Sequence, residues 1–337
     1  MTTPTHARIA DPLSALLLEV EENGRGGRAR PDLTGRRAIV TGGARGLGLA
    51  TSTTLAARGA SVLVGVRDAA RGQDALDRAA EEHGIPRRRL KAVQLDLIDL
   101  DSVARFATEA AIERGAAGLD LLVLNAGISS VDLALSARGI ESQFATNHLG
   151  HFALAALLLP ALGRAANPRV VTVASALYSA GRLAPEELTA PERLAVDYGP
   201  GRAYNRSKLA NVLFARELER RARQAGSRIV SVAAHPGMAR TPLHSTYPSA
   251  ATRAITTALV RAVGRDPLPA AVGILAAATM PEATPDLFWG PAGSKTRPDA
   301  VGAAFAPVAS DAELAVTLWD ASEHLTGVAF PSPVGGA

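Results

Sequence analysis

Six short apolar runs, separated by stretches of helical spacing, constrain this chain more than any other feature. From Arg36, "RRAIVTG" is nearly continuous in apolar residues and ends at glycine, and "LGLATSTTLAARGA" follows with helical periodicity. "SVLVGV", "LKAVQL", "LDLLVLN", "PRVVTVAS" and "SRIVSVAA" repeat the theme, with a helical segment between each pair. Strands that are apolar throughout, rather than alternately, are covered on both faces. Strands joined through helices run parallel, and right-handed crossovers make the result doubly wound. The expected fold is therefore α/β, a single doubly wound parallel sheet of Rossmann type with helices on both faces. Ligands of such sheets bind beyond the carboxyl ends of the strands, so chemical residues are expected just after the apolar runs.

With 337 residues, 47% of them hydrophobic, the chain can bury one large core. It has no cysteine, which excludes disulfides, thiolate zinc sites and cysteine nucleophiles. Its seven histidines lack H-x-x-x-H spacing, and no metal site is expected. Net charge is +4, but Lys and Arg are scattered apart from "PRRR" and the end of one helix, so no nucleic-acid partner is expected. The runs "LDLLVLNAG" and "FALAALLLPAL" fall short of the ~20 residues of a membrane span. No secretory signal pattern opens the chain, and a cytoplasmic location is expected. Residues 1–33 read as an extension. Within it "DPLSALLLEVEEN" suits a short helix capped by Asp11, and "GRGGRARPD" a flexible linker. Residues 34–337 form the expected main domain, with a substrate-binding segment at about 238–300 and a C-terminal helix and strand.

Two local patterns carry chemistry. "TGGARGLG" (41–48) lies between the first strand and first helix, where glycines allow a tight turn and close approach of the backbone to a pyrophosphate. The spacing is T-G-x-x-x-G-x-G, with Gly42, Gly46 and Gly48. Further on, "AYNRSKLA" places Tyr204 and Lys208 four apart on one helix face. Free tyrosine titrates near ~10, too high for a base at neutral pH. An ammonium ~4 Å away contributes on the order of 4 kcal/mol at an effective dielectric near 20, enough to bring a phenol toward ~7.

These two patterns together resemble the short-chain dehydrogenase/reductases over residues ~34 to ~240, with "NAG" (125–127) and "HPG" (235–237) after the fourth and sixth strands. The segments "FATNHLGHF", "YNRSKLANVLFARELERR", "LFWGPAG" and "LWDASEHLTGV" are similar to the retinol dehydrogenase branch and its bacterial relatives. The resemblance implies an oxidoreductase that exchanges hydride between a nicotinamide and the carbonyl or secondary alcohol of a small molecule. Tyr204 would be acid and base, Lys208 its activator and ribose anchor, and Ser175 a hydrogen-bond donor to the carbonyl oxygen. Asn147 would hold a water beside the lysine, the lesser alternative being a kink residue in a long helix. His148 and His151 read as packing or surface residues.

The resemblance also assigns the cofactor cradle to Gly42, Arg45, Gly46, Leu47, Gly48, Arg67, Asp96, Leu97, Asn125, Ala126, Gly127, Pro236, Gly237 and Thr241. NAD-preferring relatives carry an acid at the end of the second strand. Here that position is Val66, followed by Arg67, and Arg45 lies inside the glycine turn. Two guanidiniums without that acid suit a 2′-phosphate, so the expected cofactor is NADP(H). Asp68 is expected to cap the next helix, and Asp96 to meet the adenine or cap its own turn. Residues 176–203 read as a long loop whose Leu177, Tyr178, Leu183 and Tyr198 form a wall of an apolar substrate pocket, joined by Leu243, Ile255, Leu259 and Val263. The resemblance also implies a homodimer through helices at ~137–162 and ~204–225, unless the long loop before Tyr204 blocks that surface. Two rival readings stay open: enone reduction, epimerisation or cyclisation on the same scaffold, and a non-catalytic NADP-binding regulator.

Overall fold

All six apolar runs are strands of one sheet. The structure is a computed structural model describing residues 6–9, 32–240 and 258–331. The expected helix within 11–23, Thr241, Leu243 and Ile255 lie outside the described residues. The strands are β1 (His6–Ile9), β2 (Arg37–Thr41), β3 (Ser61–Val66), β4 (Leu90–Gln94), β5 (Leu121–Leu124), β6 (Arg169–Val173), β7 (Val230–Ala234), β8 (Phe288–Gly293) and β9 (Pro298–Ala303). They are ordered β1-β9-β8-β7-β6-β5-β2-β3-β4. β4 through β8 in this order pair parallel. The connection reverses between β2 and β5, and that reversal opens the ligand crevice.

The expected wholly parallel sheet acquires an antiparallel edge. β9 runs antiparallel to β8, and β1 antiparallel to β9, with His6 opposite Ala303 and Ile9 opposite Ala300. Arg8 adds an ion pair with Asp299. Four residues of the expected N-terminal extension thus belong to the sheet.

Successive strand residues face opposite sides. On one face Val40 and Val64 lie under α1 (Gly46–Ala57) and α2 (Ala69–Glu82), and Val171 and Val232 lie under the helix Val272–Thr279, while on the other Ile39, Leu63, Leu122 and Val170 share a cluster with residues of α3 (Leu100–Arg114) and α4 (Ser142–Gly163). Helix α4 is long and apolar enough to cross a membrane, yet 83% of its apolar window is buried inside the protein, as in a core helix. It contains a π-helical turn at Ala145–Leu149, where Gly150 N donates to Ala145 O.

Segment 176–203 is folded, not an open loop. It holds a 3-10 turn (Ala176–Ala180), α5 (Pro185–Thr189) and a second 3-10 turn (Pro191–Ala195). Leu183, Leu188 and Leu194 are buried in one cluster with residues of α6 (Pro200–Gln224). Arg206 clamps the segment from α6, donating to Glu187 at 2.7 Å and to Leu194 O at 2.6 Å. Helices α7 (Val272–Thr279) and α8 (Ala312–Thr326) follow later in the chain.

Candidate active site

The glycine turn forms the bend that its spacing implies. Gly42 and Gly46 have φ of +65° and +50°. A side chain at Gly48 would collide with Gly42 O and stand 2.7 Å from Asn125 Nδ2, so helix α1 starts flush against the turn. Arg45 is the N-cap of α1 but supplies no side-chain hydrogen bond. The first amides of α1 therefore lack a side-chain cap, and such amides bind anions. Arg45 and Arg67 are exposed, and among the described residues neither pairs with a carboxylate. Asp68 instead caps α2, accepting from Arg71 N at 2.9 Å. The uncapped amides of the glycine turn fit the diphosphate of a dinucleotide.

Asp96 accepts from Ile98 N at 3.3 Å, so one of its oxygens closes the turn after β4, and Leu97 is buried beside it. The turn after β5 is held from β2. Thr41 Oγ1 accepts from Asn125 N and Ala126 N, both at 2.9 Å, and Asn125 Nδ2 donates to Thr41 O at 2.9 Å. Beyond β7, Gly237 N donates to His235 Nδ1 at 3.1 Å, and the His235 ring stacks on Phe288 with centroids 4.6 Å apart. Burial first, and then Arg265, lower that histidine to about 4, so it serves as a neutral acceptor that shapes the Pro236–Gly237 turn.

Tyr204 and Lys208 are both buried on α6, with Nζ 5.7 Å from the phenol ring centroid. Nζ donates to Val173 O at 3.1 Å, just ahead of Ser175. Burial lowers the ammonium from 10.5 to about 8. Ser175 is part-buried, and its Oγ accepts from Leu177 N at 3.3 Å, capping the following 3-10 turn. Asn147 is fully buried in the π turn. Its Oδ1 accepts from Ile128 N at 2.8 Å, and its Nδ2 donates to Ile128 O and to Ser207 Oγ, both at 2.9 Å. A Cβ built on Gly127 lies 3.1 Å from Asn147 Oδ1 and 3.6 Å from Lys208 Nζ, so three elements converge there.

The two histidines of α4 part company. His148 is a packing residue, 5.2 Å from the Phe144 ring and bonded to Ser322 Oγ at 2.9 Å. His151 is buried in a polar line, 2.8 Å from Thr41 Oγ1 and 3.0 Å from Asn147 O. Its spacing of four from Asn147 was the available signal for this role. Tyr178 and Tyr198 do not form a free pocket wall. The Tyr178 hydroxyl accepts from Ala306 N at 2.7 Å and its ring meets Phe288 at 5.0 Å. The Tyr198 hydroxyl donates to Val131 O at 2.8 Å and accepts from Gln143 Nε2 at 2.8 Å. Burial, reinforced by Glu141, pushes that phenol up to about 12. Both tyrosines are structural ties because their hydroxyls are committed to backbone partners.

A family model for short chain dehydrogenases matches residues 36–184. Retinol dehydrogenase 14 of Mus musculus is 34% identical over 307 residues, covering 87% of this chain and 86% of that protein. The chain belongs to the short-chain dehydrogenase/reductase family. Its similarity extends to retinol dehydrogenase 12 of Homo sapiens, 36% identical over 218 residues that cover 64% of this chain and 65% of that one. A crystal structure of an uncharacterized protein from Mycobacterium Paratuberculosis superposes with a TM-score of 0.70 at 39% identity, covering 89% of this chain and 97% of the other. Short-chain dehydrogenase/reductases are nicotinamide-dependent oxidoreductases, and this member is of the retinol-dehydrogenase-like kind.

Proposed function

We propose that this short-chain dehydrogenase/reductase is an NADP(H)-dependent reductase of bulky, apolar carbonyl compounds, working through Tyr204. The carrying observation is the buried Lys208 ammonium, 5.7 Å from the Tyr204 ring centroid and bonded to Val173 O at the β6 end that presents Ser175. A buried cation favours the phenolate and so eases proton exchange at the phenol oxygen. Tyr204 gives the proton to the carbonyl oxygen in reduction and takes it back in oxidation. Ser175 orients that oxygen by donating a hydrogen bond. Lys208 returns the proton from solvent by way of a water beside Asn147. When bound, the nicotinamide supplies or accepts the hydride. Gly42, Gly46, Leu47 and Gly48 would hold its diphosphate, Asp96 and Leu97 would border the adenine, and Asn125, Ala126, Gly127, Pro236 and Gly237 would line the rest.

The cofactor preference rests on Arg45 and Arg67. Both are exposed, and Asp68 is occupied at the helix cap. Two charge-assisted contacts at ~1.5–3 kcal/mol each should favour NADPH over NADH in kcat/KM by about tenfold or more. Val66→Asp with Arg67→Ala should shrink or invert the preference; an unaltered ratio would transfer the phosphate-reading role to Arg45.

Apolar side chains stand exposed close after the site segments: Leu133 after "NAG", Leu177 after Ser175 and Met238 after Gly237, at 47%, 53% and 37%. An apolar substrate would cover them. Expected kcat/KM therefore rises along a ketone series from acetone through cyclohexanone to 2-acetylnaphthalene, and Leu177→Ser flattens the rise. A maximum at the small ketones would sink the assignment of substrate class.

A further inference from the structure

We propose that His151 is a positioning residue: a strut held in one tautomer that ties the main chain of Asn147 to the cofactor cradle through Thr41. The proposal rests on the reading of Asn147, Lys208 and Tyr204 as a proton path, and deepens it.

Lone pairs and protons around Thr41 fix the tautomer of the ring. Asn125 N and Ala126 N, each at 2.9 Å, both donate to Thr41 Oγ1. A threonine hydroxyl offers two acceptor positions and one proton. Both acceptor positions are taken, so the proton must leave toward an acceptor. His151 Nε2 lies 2.8 Å away and Val123 O lies 3.5 Å away, and the shorter contact is the real bond. Nε2 therefore carries no hydrogen. In a neutral imidazole the hydrogen is then on Nδ1, which faces Asn147 O at 3.0 Å. A carbonyl oxygen only accepts, so this tautomer satisfies every contact and the other satisfies neither. The neutral form is secured by burial, with a smaller contribution from the nearby Lys208 charge, which together lower the ring to about 3.

The consequence is mechanical. One unbroken line runs from the amides of the "NAG" turn to Thr41, to His151, to the backbone of Asn147. The carbonyl it ends on lies inside the π turn Ala145–Leu149. The side chain of Asn147 is held separately by Ile128 and Ser207. His151 thus sets the main-chain half of the placement, on the side of the site where Lys208 Nζ approaches Gly127. Small displacements of such a group are costly to rate but not to binding.

The test uses the full chain, NADPH and 2-acetylnaphthalene. His151→Phe keeps a ring and removes both bonds, and should lower kcat about 10²-fold. KM and NADPH affinity should change little, since the lost interaction acts on the reacting geometry. His151→Gln, with an amide donor and acceptor of similar reach, should recover most of the loss. Independently of turnover, long-range nitrogen–proton NMR of the wild type should show His151 with Nδ1 protonated and Nε2 bare at neutral pH, the resonance being identified by its absence in His151→Gln. Thr41→Val should abolish that fixed tautomer. An Nε2-protonated ring, a His151→Phe variant with wild-type kcat, or a Gln variant no better than Phe overturns the proposal. A wild type inert toward all carbonyls would instead overturn the reductase reading, while the NMR result would still decide whether the strut exists.

Discussion

Replacing Tyr204 with phenylalanine should lower turnover by about 10²–10⁴-fold, the range for loss of one acid–base group. NADPH affinity should barely change. Tyr204 is buried near the start of α6, and its ring lies beneath Lys208 Nζ at 5.7 Å. Phenylalanine keeps the ring, its packing and its attraction for the cation. Only the phenol is lost, and with it the proton. Tyr198 cannot substitute, because its proton is given to Val131 O, nor can Tyr178, whose hydroxyl is buried beside Phe288 and held at Ala306 N. Steady-state kcat with a bulky ketone, alongside a fluorescence titration of NADPH, measures both quantities. Residual activity above about one per cent would mean that another acid operates.

Lys208→Met should be inactive and bind NADPH more weakly, yet be more stable than wild type without cofactor. Burial holds the ammonium at about 8 in the folded protein, against 10.5 for the free side chain. Between these values the unfolded chain binds more protons than the folded one, so wild-type stability rises with pH across that window. Below about pH 8 the burial cost is present in full, roughly 3 kcal/mol at 1.36 kcal/mol per pH unit. Methionine avoids it and loses one hydrogen bond, worth about 1 kcal/mol. Val173 O keeps a second donor, Asn211 Nδ2 at 3.4 Å. The net gain at neutral pH is about 2 kcal/mol, and it should shrink as pH approaches about 10. Urea denaturation of both proteins at the two pH values checks this. A methionine variant no more stable at neutral pH, or a gain that widens with pH, would mean that burial of Lys208 is not the dominant cost. The expected trade marks Lys208 as a residue kept for chemistry against stability.

Much of the site was legible because its signals are local. The six core strands are short apolar runs, and neighbouring residues suffice to make them so. Tyr204 and Lys208 share a helix face by their spacing, and the glycine turn is defined within eight residues. Asp68 follows a strand and starts a helix, and it caps α2.

Other features depend on partners far along the chain. β1 is four residues long and is a strand only because β9 offers a free edge; "PDAVGA" itself, with proline and glycine, has weak strand character. The turns within 176–203 exist because Leu183, Leu188 and Leu194 find α6, and that packing draws Tyr178 and Tyr198 away from any substrate wall. The sequence by itself determined the doubly wound sheet, the glycine turn and the tyrosine–lysine pair, since each follows from the order of residues within one element or one turn. Only the tertiary structure decided the antiparallel edge, the folded 176–203 segment and the buried line from Thr41 through His151 to Asn147. Those depend on which groups meet across the core, where a buried polar atom must find its partner wherever the chain happens to place one.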